Sequence, residues 1–113
     1  MAEVPQVTLV TDFSAAGDFE KKHTPFMTVE PKEDGHFLLN VKVGHEVPHP
    51  NGPDHYITGI EIFAGDVSIA RLELAPAVTY PKFCIPVVLP AGTVVRAVEH
   101  CNLHGWWAYE VTL

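Results

Sequence analysis

The chain has only two cysteines, Cys84 and Cys101, and no C-x-x-C pair. Nothing else marks a disulfide-stapled secreted scaffold, so both read as reduced thiols. Long apolar runs are missing as well: no stretch approaches the ~18 residues a membrane helix needs. The opening Met-Ala-Glu-Val-Pro-Gln carries no basic segment followed by an apolar one. These features predict a cytoplasmic protein with no signal peptide and no membrane partner. Basic residues are few, 7 against 14 acidic ones, for a net charge of −7. Nucleic acid is thereby excluded as a partner, since phosphate binding needs a basic face.

Hydrophobic residues are plentiful, at 47%, enough for one core without staples. A length of 113 residues fits one domain spanning 1–113. Strand signals dominate the chain. Gln6–Thr11 is rich in β-branched residues, and alternation marks His36–Val43, Tyr56–Phe63 and Val67–Leu74. Lys82–Leu89 is apolar with Pro86 inside, which predicts an edge or bulged strand. Thr93–Glu99 and Trp107–Leu113 complete about seven strands. Glu33-Asp34-Gly35, Ala64-Gly65-Asp66 and Pro90-Ala91-Gly92 supply turns. Ser14–Lys22 is the one candidate for a short helical turn. The pattern predicts an all-β fold, an antiparallel β-sandwich or barrel.

Histidine is abundant: seven, equal to lysine plus arginine. Cys101 and His104 stand three apart, followed by Gly105, which gives the backbone freedom to turn. A thiolate and an imidazole so spaced can reach one metal ion, and the N–H groups of Asn102 and Leu103 could point at the sulfur. His49 and His55 bracket Pro50-Asn51-Gly52-Pro53-Asp54. On a straight strand they would lie ~20 Å apart, but this loop can curl back on itself. His23 follows Lys21 and Lys22 and precedes Thr24-Pro25. Taken singly, each segment also has an ordinary explanation as a chance spacing or a surface histidine. Together, His23, His49, His55, His104 and Cys101 offer four nitrogens and one sulfur. Structural zinc takes four ligands, usually with more than one thiolate. Five ligands with a single sulfur fit a metal with a position left open, and imidazole with thiolate suits iron.

Lys22-His23-Thr24-Pro25, His49-Pro50-Asn51 with His55, and Cys101-Asn102-Leu103-His104-Gly105 resemble the iron centre of the superoxide reductases, the desulfoferrodoxin and neelaredoxin family. The resemblance runs from about Asp18 to the C-terminus. It implies an immunoglobulin-like sandwich carrying one mononuclear non-haem iron, with Fe(II) reducing superoxide to hydrogen peroxide. It also implies that His23, His49, His55 and His104 are equatorial ligands, Cys101 is the axial thiolate, and a sixth position is open to superoxide. A thiolate opposite that position donates electron density to the iron. Lys22 matches the family lysine that draws in the anion and assists protonation. The family usually has glutamate two residues before the first histidine. Lys21 stands there instead, with Glu20 one further back, so water, hydroxide or nothing replaces that ferric ligand unless Glu20 reaches it. Lys21 could add to the attractive field. Without a C-x-x-C pair the rubredoxin-like second centre of two-iron members cannot be built, so this resembles the one-iron class. Its implied partners are superoxide and an external electron donor such as rubredoxin, and its implied assembly is a homodimer or homotetramer.

Cys84, among Phe83, Ile85, Val87 and Val88, reads as a buried strand residue. His36, His45 and His100 match no ligand position. Trp106 and Trp107 read as core and rim aromatics, one of which could shield the ligands from water. A cupredoxin-like electron-transfer protein is the alternative. It would use two histidines and a cysteine, but usually a methionine after the last histidine, and none follows His104. A third reading is a partner-binding sandwich whose histidines are incidental or hold zinc.

Overall fold

Side chains on a strand alternate between faces, so each alternating segment has one apolar side to bury. The computed structural model describes residues 6–113. Its elements run β1 (Val7–Val10), α1 (Asp18–His23), β2 (Pro25–Pro31), β3 (His36–Val43), β4 (Ile57–Ala64), β5 (Val67–Glu73), β6 (Lys82–Val88), β7 (Val94–Cys101) and β8 (Gly105–Thr112). A five-stranded sheet has the order β1-β8-β7-β4-β5, and a three-stranded sheet the order β2-β3-β6. Met27, Leu39, Val41 and Val43 of the small sheet face Ile60, Ile62, Val95, Ala97 and Cys101 of the large one. Their burial is the main stabilising term of the sandwich.

The strand the sequence conceals is β2. Its apolar residues Pro25, Met27 and Val29 alternate, but proline stands at both ends. Proline cannot donate to a ladder, so it is tolerated at a strand's first residue and on edges, and β2 is an edge of its sheet. Pro86 obeys the same rule on the opposite edge, β6. All neighbouring strands pair antiparallel except β1, which runs parallel to β8 with Val7 opposite Trp106. No hairpin constrains that pair, because the rest of the sandwich lies between them in sequence. The helix begins at Asp18 rather than Ser14. Ser14 instead donates to Asp12 Oδ1 at 2.8 Å in a preceding turn.

Cys84 corrects an expectation. It is exposed, not buried. On β6 the inward residues are Phe83, Ile85 and Val87, which leaves Cys84 on the outer face of an edge strand. Among the described residues no helix is long and apolar enough to cross a membrane.

Candidate metal centre

Three chain segments meet at one end of the sandwich. The first is the end of α1. Thr24 Oγ1 donates to Glu20 O at 2.7 Å and closes the helix, leaving His23 fully buried. His23 Nδ1 donates to Phe19 O at 2.7 Å, so its Nε2 lone pair faces away from the helix. Phe19 and Trp107 lie 4.6 and 5.0 Å from the ring, centroid to centroid.

The second segment is the loop after β3. Gly44 has φ +91°, and a Cβ there would lie 2.7 Å from His49 N. The loop can fold back only because that position is glycine. His49 Nδ1 donates to Pro50 O at 2.6 Å, again leaving Nε2 free. Gly52 and His55 exchange two backbone hydrogen bonds, at 3.0 and 3.3 Å. That small bridge brings the rings of His49 and His55 to 4.6 Å between centroids, where an extended chain would have held them ~20 Å apart.

The third segment is the β7–β8 turn. Alternation along β7 points His100 outward and Cys101 inward, with Cys101 fully buried. Burial pushes the thiol pKa up, while N–H groups of Leu103 and His104 hydrogen-bond the sulfur and pull it down. Leu103 therefore acts as expected, but Asn102 does not. Its N–H donates to Tyr56 O, its Oδ1 accepts from Tyr56 N at 2.9 Å, and its Nδ2 donates to Asp54 O at 3.0 Å. Asn102 thus clamps the His49–His55 loop to the cysteine turn. Its place beside Cys101 signalled proximity to the sulfur, but not this long-range role.

One ligand atom from each of His23, His49, His55 and Cys101 lies within 4.8 Å of every other. Cys101 Sγ is 3.5 Å from His49 Nε2. His104 stands outside that mutual group, on the exposed side, but turns Nδ1 toward it. That atom is 3.1 Å from His23 Nε2 and 3.9 Å from Cys101 Sγ. All five predicted side chains therefore converge. His55 Nε2 is buried with no hydrogen-bond partner. The other nitrogens of His23 and His49 are committed as donors to carbonyls, the arrangement that fixes the tautomer of a metal-binding imidazole. Burial lowers the pKa of His23, His49 and His55, with His49 at about 4, and Lys22 and neighbouring rings add to the effect. Neutral rings with convergent lone pairs repel one another unless a cation sits among them. The donor set therefore fits a metal ion.

Lys22, half-buried, exerts its charge on His23, His49 and His55. Lys21 does not share this duty, because its Nζ is 3.0 Å from Glu46 Oε2, tying α1 to the loop. The Glu20 carboxylate turns back over Gly17. His100 lies on the far face of β7, 2.8 Å from Thr58 Oγ1 and against Trp106 at 4.4 Å between ring centroids. Sequence reasoning passed over Glu99. It lies on the core face of β7, two residues before Cys101, fully buried with both carboxylate oxygens unpartnered. A glutamate at a core position of an alternating strand was the available signal.

Residues 15–110 match the family model described as desulfoferrodoxin. A superoxide reductase of Thermococcus kodakarensis is 32% identical over 108 residues, covering 87% of this chain and 93% of the relative. A desulfoferrodoxin homolog of Methanothermobacter thermautotrophicus is 40% identical over 87 residues, covering 77% of this chain and 62% of the relative. Among solved structures, a superoxide reductase (neelaredoxin) from Archaeoglobus fulgidus in the reduced form superposes with a TM-score of 0.74. It shares 28% identity and covers 98% of this chain and 98% of that one. With the fold and the five convergent donors, these likenesses establish that the chain belongs to the desulfoferrodoxin family of superoxide reductases.

Proposed function

We infer that this chain is a one-iron superoxide reductase, with iron held by His23, His49, His55, His104 and Cys101. The observation that carries this reading is the convergence of four imidazoles and one thiol on a buried spot where His55 Nε2 has no partner. Bound there, Fe(II) would supply the electron that, with two protons, converts superoxide into hydrogen peroxide. The protein's own groups prepare that step. The N–H groups of Leu103 and His104 hold the Cys101 sulfur and moderate its electron density. Phe19 and Trp107 flank the His23 ring and keep water from it. Lys22 places a positive charge and a proton beside the rings, drawing in the anion and supporting protonation of the product. Nothing favours the cupredoxin alternative, which would leave two converging histidines unused.

The electron comes from a separate donor, a rubredoxin or a carrier like it. The chain works as a homodimer or homotetramer, a reading supported by the outer face of the five-stranded sheet. That face exposes Val7, Val94 and Trp106 beside the internally neutralised pairs Arg96–Glu110 and Arg71–Glu61. One shared core supports a single domain, and two free thiols fit a cytoplasmic setting.

The decisive experiment reconstitutes the protein with iron and compares it with Cys101→Ser. The expected outcome is about one iron per chain, a visible thiolate charge-transfer band lost in the variant, and one peroxide per superoxide consumed without dioxygen release. Dioxygen release at half that stoichiometry would show dismutation instead, and a band indifferent to Cys101 would remove the thiolate from the site.

A further inference from the structure

The seven cationic side chains are not equally neutralised. Lys21, Lys32, Arg71 and Arg96 each pair with a carboxylate. Among the described residues that leaves Lys22 at the metal centre, and Lys42 and Lys82. The last two stand directly opposite each other across β3 and β6. Alternation places both on the outer face of the small sheet. Like charges in that position destabilise a sheet. A chain of net charge −7 has acidic residues to spare, yet among the described residues none is set within ion-pair distance of this pair.

The surroundings give the pair a context. Phe26 lies beside Lys42 in the β2–β3 register, and its ring stacks on His45 at 4.2 Å with 4° between planes. The face therefore has an aromatic floor and a polar, cationic edge, and an aromatic centre within a polar rim is the layout of a protein interface. It also adjoins the centre. β2 begins at Pro25, two residues after His23, and β3 runs from Lys42 into Gly44, whose Cα packs against the His49 backbone.

We propose that the Lys42–Lys82 end of the outer face of the three-stranded sheet is the docking surface for the acidic electron-carrier protein that reduces the centre. This rests on the redox reading above. Charge complementarity selects the occupant: an acidic carrier approaching an acidic molecule is repelled everywhere except where uncompensated lysines stand. Lys42 and Lys82 supply the attraction, Phe26 and His45 the desolvated contact, and the two short connections to His23 and His49 keep the path to the metal brief.

The test mixes the oxidised, iron-loaded protein with reduced rubredoxin as the probe and follows bleaching of the ferric band. No superoxide is present, so this surface and the superoxide reading fail separately. At low ionic strength Lys42→Glu/Lys82→Glu is expected to lower the second-order rate constant by about tenfold or more, with Lys42→Gln/Lys82→Gln in between. The difference should shrink as salt rises to about 0.5 M. Lys32→Glu, ~20 Å away at the opposite end of the same sheet, is expected to stay within about twofold of the parent rate at about 0.1 M salt, where the Debye length is only ~10 Å. A bulky maleimide on exposed Cys84, in the row next to Lys82, should slow the same step. The proposal is overturned if the Glu pair accepts electrons at the parent rate in low salt. It is equally overturned if Lys32→Glu slows the reaction as much, or if the Glu pair changes the sedimenting species and thereby reveals a second copy of this chain on the surface.

Discussion

Gly44 sits where the histidine loop turns back against its own backbone, with a second left-handed residue, Glu46 at φ +66°, two positions on. With φ +91° and His49 N where a Cβ would stand, Gly44→Ala forces the loop away from α1. The expected cost is about 1–3 kcal/mol of stability, together with weaker iron binding; denaturation midpoints and iron titration would read both. Glu99 makes the opposite prediction. Burial raises its carboxyl pKa well above the ordinary 4.5. The unfolded chain releases that proton near the ordinary value while the folded chain retains it, so stability falls as pH rises beyond it. Glu99→Gln removes this penalty. The metal-free variant should gain stability over the parent by a larger margin at about pH 8 than at about pH 5, by urea denaturation. A gain independent of pH would show that shape, not ionisation, sets the cost. Of the five converging side chains, Cys101 with His104 and His49 with His55 were legible from short-range spacing, whereas His23 stands alone in sequence and was legible only through the resemblance of its Lys-His-Thr-Pro segment. Glu99 and Asn102 were not, since their roles depend on what a strand faces and what a distant loop brings near.

The strands differ in how firmly they are held, and the converging histidines and cysteine are spread across that range. β7 pairs on both sides, with β4 and β8, and ends in Cys101. His49 and His55 sit on a loop closed by one small bridge. Hydrogen exchange should therefore be slowest along Val95–Cys101 and fast across 45–55 in the metal-free protein, with the loop amides gaining protection when iron binds. Equal protection of the loop in both forms would mean that Asn102 and Gly44 already fix it. Seven of the strands were readable from β-branched content and alternation. β2 escaped because its prolines are boundary markers in sequence but edge residues in the fold. The parallel pairing of β1 was equally hidden, since no local signal says which partner a terminal strand will choose.

Across the whole molecule the centre ties together parts of the chain that are remote in sequence. His23 and His104 are 81 residues apart. Because the unfolded chain has no preformed site, iron stabilises the folded state by mass action, by about 2.7 kcal/mol at a hundredfold excess of free iron over its dissociation constant. Chelation should lower the thermal midpoint markedly in the parent and little in Cys101→Ser if that variant no longer retains the metal. Acid should do likewise. Unfolded rings take up protons below about 6.5, whereas His49 resists until about 4. The metal-free protein should therefore lose stability as pH falls through that window, most simply followed by scanning calorimetry. Alternation along β7 also restricts how the gene can change length. An insertion of one codon upstream in that strand would turn Cys101 outward and carry the imidazole of His100 into its place, exchanging a sulfur donor for nitrogen. Losses of two codons preserve the parity and hence the thiolate. The reading frame of the strand, counted in odd and even residues, is thus inherited together with the chemistry.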